Sequence, residues 1–423
     1  MALTLSQKIL ARTSGGPAPQ PGDIVVARVD RAMSYDAYAG LLHRRFVERW
    51  GAGARLWDAE RLVLVADHFL DTNNPSHCRM QDELADFAAA FGVQHYYPVG
   101  AHNHGICHAL LPEEGLVRPA ELILGTDSHS CHYGGFGAIG LGVGVDAMEG
   151  VLAIGQYWIQ LPPTVRITID GRFPGGVHAK DVILRLCGDL ANHKGLLGTA
   201  VELDGEAVQA LHPEEKLTLA NMGSELGARW LIIPPDDSVC QWLTSLGASD
   251  FDALHPDSNA HYAREYRYRG EDFEPLVALP GAPDRVVAVK DLTLTRFNEV
   301  FVGSCTGAKR FDMEQFVAGL ADNGGIAEGV RVHIVPATRK VHDWLLATPA
   351  RRALLADPAI EVAAHAGCNA CFGGYGFLAH ENSVRFSTSN RNFPGRMGAR
   401  EARVFLGSPA LAARAAVTGS LGG

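Results

Sequence analysis

Residues 299–307, EVFVGSCTG, and residues 364–374, AHAGCNACFGG, decide how this chain is read. The first is a β-branched run that predicts a buried strand and ends in a glycine-flanked cysteine, Cys305. The second sets Cys368 and Cys371 in a CxxC among further glycines. Three thiolates suit an iron–sulfur cluster with one iron left open, and the glycines let backbone N–H groups approach sulfur. Spacing alone leaves other uses open: a redox CxxC, half of a structural zinc site, or core cysteines. A thioredoxin-like motif usually opens a helix after the first strand of its domain, and a zinc ribbon wants a second CxxC, which the sequence lacks. Cys78, Cys107, Cys131, Cys187 and Cys240 have no paired spacing and read as packing residues.

Outward from these cysteines, LVLVA at 62–66, LILG at 122–125, TVRITID at 164–170, RWLII at 229–233 and VRVHIV at 330–335 read as further buried strands. Helical patterns at 80–91, 179–193, 213–226 and 310–322 follow several of them. That alternation predicts α/β domains with largely parallel sheets. The polar clusters DHFL at 67–70, GTDSHS at 125–130 and GSCTG at 303–307 come directly after strands, where open α/β sheets place their ligand sites. Domain joints are expected near Pro162–Pro163 and in ALPGAPDR at 278–285, giving α/β domains over 1–162, 163–284 and 285–423.

The chain has 423 residues, 47% of them hydrophobic, which exceeds one usual compact domain. A formal net charge of -10 offers no basic field for a nucleic-acid backbone or an anionic membrane, so an acidic substrate must be held by a few local cations. The opening MALTLSQKILARTSGG lacks the continuous apolar core of a signal peptide, and no stretch approaches the roughly 20 apolar residues that span a bilayer. Eight cysteines are too sparse for a disulfide scaffold, so the cytoplasm is the expected compartment.

Asp67 and His68 pair a carboxylate with an imidazole at a strand end, His108 adds a second imidazole, and GTDSHS brings Asp127, Ser128 and His129. Histidine titrates near neutrality and a neighbouring carboxylate raises its pKa, which suits delivery of a proton to a departing hydroxyl. Each pair alone is weak, since a strand-end histidine is more often structural. Zinc is a minor alternative for His102, His104, His108, His129 and His132, because no HExxH-like spacing occurs. Asn221 and Glu225, four apart on the helix expected at 213–226, share a face that could equally be an exposed polar stripe. Arg391 and Arg396, in RFSTSNRNFPGRMG, lie among small hydrogen-bonding residues, either for bidentate carboxylate recognition or as a solvated pair.

The order of LSQKILAR, VDRAMSYD, ADHFL, GICHALLPEEGLVRP, GTDSHS, LTLANMGSELGA, VFVGSCTG, AGCNACFGG and STSNRNFPGRMG resembles the aconitase family from end to end, in the shorter, homoaconitase-like large-subunit form of its isopropylmalate dehydratases. The resemblance implies an aconitase-like α/β fold: three α/β/α domains around a [4Fe–4S] cluster, without the family's fourth, swivelling domain. It implies that Cys305, Cys368 and Cys371 hold the cluster, with Asn221 and Asn390 near it. Asp67 and His68 match the pair that protonates the leaving hydroxyl, while His108 with Asp127 and His129 with Glu225 match two further imidazole pairs. Ser128, Arg391 and Arg396 fall on substrate-binding positions, with Tyr35 at the edge of that site.

The implied activity is that of a hydro-lyase and isomerase, first for 3- and 2-isopropylmalate in leucine biosynthesis, with homoaconitase or another substituted-malate dehydratase as the alternative. An iron- or redox-sensing binding protein on the same fold is the reading from a different class. In this family the base that removes the C–H proton is a serine of the swivelling domain, and too few residues follow Gly398 to build one, so a separate small subunit is expected. Three positions depart from the family's pattern: Gly307 replaces an asparagine, Ala109 a glutamine, and Tyr35 a histidine or glutamine.

Overall fold

A computed structural model of the chain describes residues 2–191, 196–321 and 325–423. Its strands form where aliphatic runs can be covered on both faces: all four residues of Leu62–Val65 and of Leu122–Gly125 are buried, as parallel strands between helices require. Three parallel sheets share one winding rule. In the first, Arg31–Tyr35 is laid down in the middle, Leu62–Val65 and His95–Tyr97 add on one side, and the chain crosses over to add Leu122–Gly125 and Ile139–Gly142 on the other. The second sheet repeats this with Thr164–Asp170, then Ala200–Asp204 and Trp230–Ile232, then Arg264–Arg269 across the centre.

The third sheet starts from Glu299–Val302, extends through Arg331–Ile334 and Ile360–Val362, and reverses to add Val384–Ser387 and Arg403–Leu406. Each reversal opens a crevice at the carboxyl ends of the two strands that flank it. Two antiparallel strands, Leu276–Ala278 and Val286–Ala288, complete the edge of the third sheet. The stretch 279–285, read from sequence as a joint, is the loop of the hairpin between them.

Helix ends follow their caps. The helix expected at 80–91 runs from Pro75 to Phe91, because Asn74 accepts the Ser76 N–H and Pro75 fits the first turn. The one expected at 179–193 ends at Leu190, and its last two residues lie outside the described part; that at 310–322 runs Arg310–Ala321. A correction applies at 213–226. The helix there is only Pro213–Asn221, and residues 222–227 form turns around Gly223 and Gly227, so Asn221 and Glu225 do not share a helix face.

Two close approaches align the sheets. A Cβ on Gly134 would come within 1.8 Å of the Leu231 carbonyl oxygen, and one on Gly135 within 2.6 Å of Leu217 Cα, so only glycines allow the turn Ser130–Phe136 to press against the second sheet and its helix. On the other side, Ile106 N–H donates to Ala337 O at 2.8 Å and Arg339 N–H to His104 O at 2.7 Å, which ties the helix Cys107–Glu113 to the third sheet. The crevices of the first and third sheets are thereby held face to face.

Candidate functional site

The first crevice is built on carboxylates. Asp36, at the start of the helix after Arg31–Tyr35, accepts the backbone N–H groups of Asp67, His68 and Phe69 at 3.3, 3.1 and 2.5 Å, which shapes the turn that ends the neighbouring strand. Asp67 is wholly buried; one oxygen lies 2.6 Å from His68 Nδ1 and the other accepts the Cys107 N–H at 2.8 Å. Burial alone would depress the His68 pKa, but Asp67, with Asp127 and Asp36, overcomes it and raises the group to about 9. His68 is therefore an imidazolium at neutral pH. Burial, reinforced by Asp67, pushes Asp36 up to about 6.

From His68 a line of charged groups crosses the crevice. His68 Nε2 is 3.8 Å from Asp127, whose Oδ1 accepts the His129 N–H at 2.8 Å and lies 2.8 Å from His108 Nε2. His129 Nε2 stands 3.1 Å from Glu225 Oε1, which also accepts from Arg391 Nε at 2.6 Å. Arg391 Nη1 reaches Ser128 Oγ at 3.4 Å. Burial works against both carboxylates, yet hydrogen bonds from His108 and His129 hold Asp127 well below the usual range, and His129 with Arg391 brings Glu225 down to about 2. For His129, burial is outweighed by Glu225 and the pKa rises.

Opposite, the third sheet presents thiols. Cys305 follows Glu299–Val302, Asn390 and Arg391 follow Val384–Ser387, and Cys368 and Cys371 lie in the turns after Ile360–Val362. Ser304 at φ +77° and Asn369 at φ +50°, both beside these cysteines, occupy the left-handed region that non-glycine residues avoid. The Asn369 side chain holds its turn by accepting from the N–H groups of Ala370 and Phe377. Asn221 Nδ2 donates to Cys305 Sγ at 3.2 Å, Asn390 Nδ2 donates to Asn221 Oδ1 at 3.1 Å, and Cys371 Sγ is 3.6 Å from Asn390 Oδ1. Asp67 accepts the Cys368 N–H on its carbonyl at 2.8 Å, a direct tie between the two crevices. At the departure Gly307, a Cβ would fall 2.3 Å from Thr388 Cβ, so the space of a side chain is already taken.

A cavity of about 280 Å³ lies between the crevices. Tyr35, His68, His108, Asp127, Ser128, His129, Asn390, Arg391, Arg396 and all three cysteines line it. Asp67, Asn221 and Glu225 stand directly behind it through the bonds given above. Every residue singled out for the site in the sequence is thus brought together. Tyr38, Thr126, Ser304 and Phe372 also line the cavity and were not singled out; Thr126 and Ser304 lie inside the strand-end clusters GTDSHS and GSCTG, Tyr38 follows Tyr35 by one helical turn, and Phe372 follows Cys371. Tyr35 packs on His68 with ring centroids 4.2 Å apart, and Phe372 does so at 4.8 Å.

The donors fit a soft, thiolate-bound metal group. Cys305, Cys368 and Cys371 face one space, with amide side chains as their polar neighbours; burial followed by Cys371 pushes the Cys305 thiol up to about 12, and burial followed by Asp67 raises Cys368 well above its usual value. Asp67, His68 and Cys368 also lie within 4.8 Å of one another, but both Asp67 oxygens are already engaged, which weighs against a hard cation there. Of the histidines weighed for zinc, His104 is spent on Ala66 O at 2.6 Å and His132 on Asn221 Nδ2 at 3.1 Å.

The chain is similar to known proteins along nearly all of its length. The aconitase family (aconitate hydratase) matches residues 60–419. The 3-isopropylmalate dehydratase large subunit 1 of Methanopyrus kandleri is 35% identical over 100% of this chain and 98% of its own length. The chloroplastic 3-isopropylmalate dehydratase large subunit of Arabidopsis thaliana is 33% identical over 99% of this chain and 85% of its own. A probable methanogen homoaconitase large subunit of Methanothermobacter thermautotrophicus is also 33% identical, over 99% and 96%. Among solved structures, aconitase X of Thermococcus kodakaraensis in its holo-form superposes with a TM-score of 0.50 at 12% identity, over 95% of this chain and 97% of that one, a likeness of fold.

Proposed function

The chain belongs to the aconitase family, and from that premise we propose that it is the large subunit of a hydro-lyase that dehydrates and rehydrates a substituted malate, interconverting 3- and 2-isopropylmalate. The observation that carries this reading is the single cavity in which three thiols meet three imidazole–carboxylate pairs. Cys305, Cys368 and Cys371 would hold an iron–sulfur cluster of the [4Fe–4S] type, which when bound supplies a Lewis-acidic iron that polarises the substrate hydroxyl.

The chain's own residues then do the positioning and the proton transfer. His68, protonated and kept in register by Asp67 on Nδ1, delivers a proton from Nε2 to the departing hydroxyl. Arg391 is oriented by Glu225 on Nε, which leaves the rest of its guanidinium, with Ser128 and Arg396, to grip substrate carboxylates. Glu225, Asp127 and the imidazoles of His108 and His129 form a preorganised wall that needs no rearrangement as charge develops. The base for the C–H proton comes from a small subunit, a partner implied by the relatives' description as large subunits. Free, unpaired cysteines suit the cytoplasm as the compartment.

Homocitrate-type substrates are the second reading, favoured by the likeness to a homoaconitase large subunit. The test is anaerobic co-purification with the cognate small subunit and an assay of the unsaturated intermediate from 3-isopropylmalate, homocitrate and citrate. Turnover of 3-isopropylmalate in preference to the others is expected. An iron-loaded complex that turns over none of them overturns the enzyme reading in favour of a sensor.

A further inference from the structure

Arg385, Lys180, Lys216 and Lys309 are the buried lysine and arginine side chains among the described residues. Three of them face a carboxylate: Arg385 meets Glu299 at 2.7 Å, Lys309 meets Asp312 at 2.7 Å, and Lys216 pairs with Asp236. Lys180 differs. Its Nζ donates to Thr306 Oγ1 at 2.8 Å, Thr388 O at 2.9 Å and Ser389 O at 2.9 Å, all neutral acceptors, and it forms no ion pair among the described residues. Three protons have three acceptors, so hydrogen bonding is complete, but in a place 1% exposed the ammonium has no carboxylate bonded to it: burial lowers its pKa to about 8, and Asp312, already paired with Lys309, is the main charge that opposes this.

The three acceptors identify what that charge is for. Thr306 follows Cys305, and Ser389 precedes Asn390, whose side chain neighbours Cys371. The ammonium therefore sits at the back of the thiol crevice, tying together the two strand-end turns that flank it. We propose that Lys180 is the built-in counter-cation of an anionic thiolate-bound iron–sulfur group at Cys305, Cys368 and Cys371. This rests on the cluster reading above. Three thiolates around iron carry net negative charge, and a buried cation close by is little screened by solvent or salt. The same charge favours the one-electron-reduced, more negative group over the oxidised one. Lys180 is a positioning and charge-setting residue rather than a catalytic one.

The experiment uses the complex with its small subunit, loaded anaerobically, as wild type and as Lys180→Gln, Lys180→Met and Lys180→Arg. Iron and sulfide content, the rate of iron loss in air and the midpoint potential in a dithionite titration are measured, alongside the melting temperature. Lys180→Gln keeps donors for the two carbonyls but no charge, which guards against a Lys180→Met chain that fails to fold. In the neutral variants iron should be lost several-fold faster and the midpoint should move to more negative potential, while Lys180→Arg should return the midpoint towards wild type. A residue needed only for folding would lower the melting temperature without moving the potential of the clusters that remain. A Lys180→Gln cluster with wild-type potential and wild-type iron loss overturns the proposal. Wild-type protein that takes up no iron and sulfide fails the cluster reading itself, a separate outcome.

Discussion

The crevices of the first and third sheets have the same strand winding and opposite chemistry. Around Arg31–Tyr35 the strand ends carry Asp36, Asp67, His68, Asp127 and His129, whose charges are matched against one another by protein groups at 2.5–3.8 Å. Around Glu299–Val302 they carry Cys305, Cys368, Cys371 and Asn390, with a buried lysine behind them. The first crevice is finished by folding. The second, on the reading proposed above, is completed when a metal group joins its thiols. Topology thus supplies two equivalent openings, and the residues at the strand ends decide that one gathers imidazole–carboxylate pairs and the other gathers thiols.

The largest expected effect isolates the second crevice. Cys368→Ser with Cys371→Ser should abolish iron binding and turnover, while acid unfolding of the first crevice stays as in wild type; full iron content in that variant would show the thiols have another use. Next, His68→Ala should keep its iron and lose about 10²–10⁴-fold in kcat, the usual reach of general acid catalysis. Near-wild-type kcat with iron intact would remove His68 from the acid role and leave the first crevice a structural wall.

A smaller effect is expected at Gly307→Asn, which restores the residue usual in the family at a point where a Cβ meets Thr388 at 2.3 Å. Displacing Thr388 loosens its bond to Gly303 N–H at 3.0 Å, so a loss of about 1–3 kcal/mol in stability and faster loss of iron should follow. An unchanged melting temperature would mean that the Cys305 turn is less rigid than its contacts imply.

The smallest effect is one of pH. Glu225, ordinarily near 4.5, is held at about 2 in the folded chain by His129 and Arg391 against the opposing effect of burial. Its ionisation therefore stabilises the fold fully above pH about 4.5, and that contribution disappears as pH falls through the window towards 2. Glu225→Gln should be less stable than wild type at neutral pH and show a shallower acid dependence below pH about 4.5, measured by urea unfolding at each pH. Parallel acid curves for the two proteins would show that His129 and Arg391 do not hold this carboxylate.

Legibility in the sequence followed polarity. Strands such as Leu62–Val65 and Leu122–Gly125 could be read from the sequence because nothing but aliphatic burial is asked of most of their residues, and Thr164–Asp170 because Val165, Ile167 and Ile169 alternate with polar residues. Two strands that border the crevices, Arg31–Tyr35 and Val384–Ser387, could not, since Arg31, Ser34, Arg385 and Ser387 break the apolar run. Two of these residues find partners distant in sequence: Ser34 Oγ lies 3.1 Å from Thr126 Oγ1, and Arg385 Nε donates to Glu299 at 2.8 Å. The misread helix at 213–226 has a similar cause, for LTLANMGSEL keeps helical periodicity while Gly223 and the packing of Leu231 end the helix at Asn221.

By itself the sequence determined the class of fold and singled out the three cysteines, the carboxylate–imidazole residues and the arginines as candidates, because strand periodicity and motif spacing are local and the chemistry of a residue type travels with it. Tertiary structure alone decided which of these residues meet. Asp67 lies beside Cys107 and Cys368, Asn221 beside Cys305, and Glu225 between His129 and Arg391 only because two switch-point crevices are pressed together through Gly134, Gly135 and the 104–106 segment. It also decided that Lys180, on a helix no motif marked as chemical, is buried behind the thiols with its direct bonds to neutral oxygens. Charge balance is a property of a volume, and residues distant along the chain share one only after the sheets have packed.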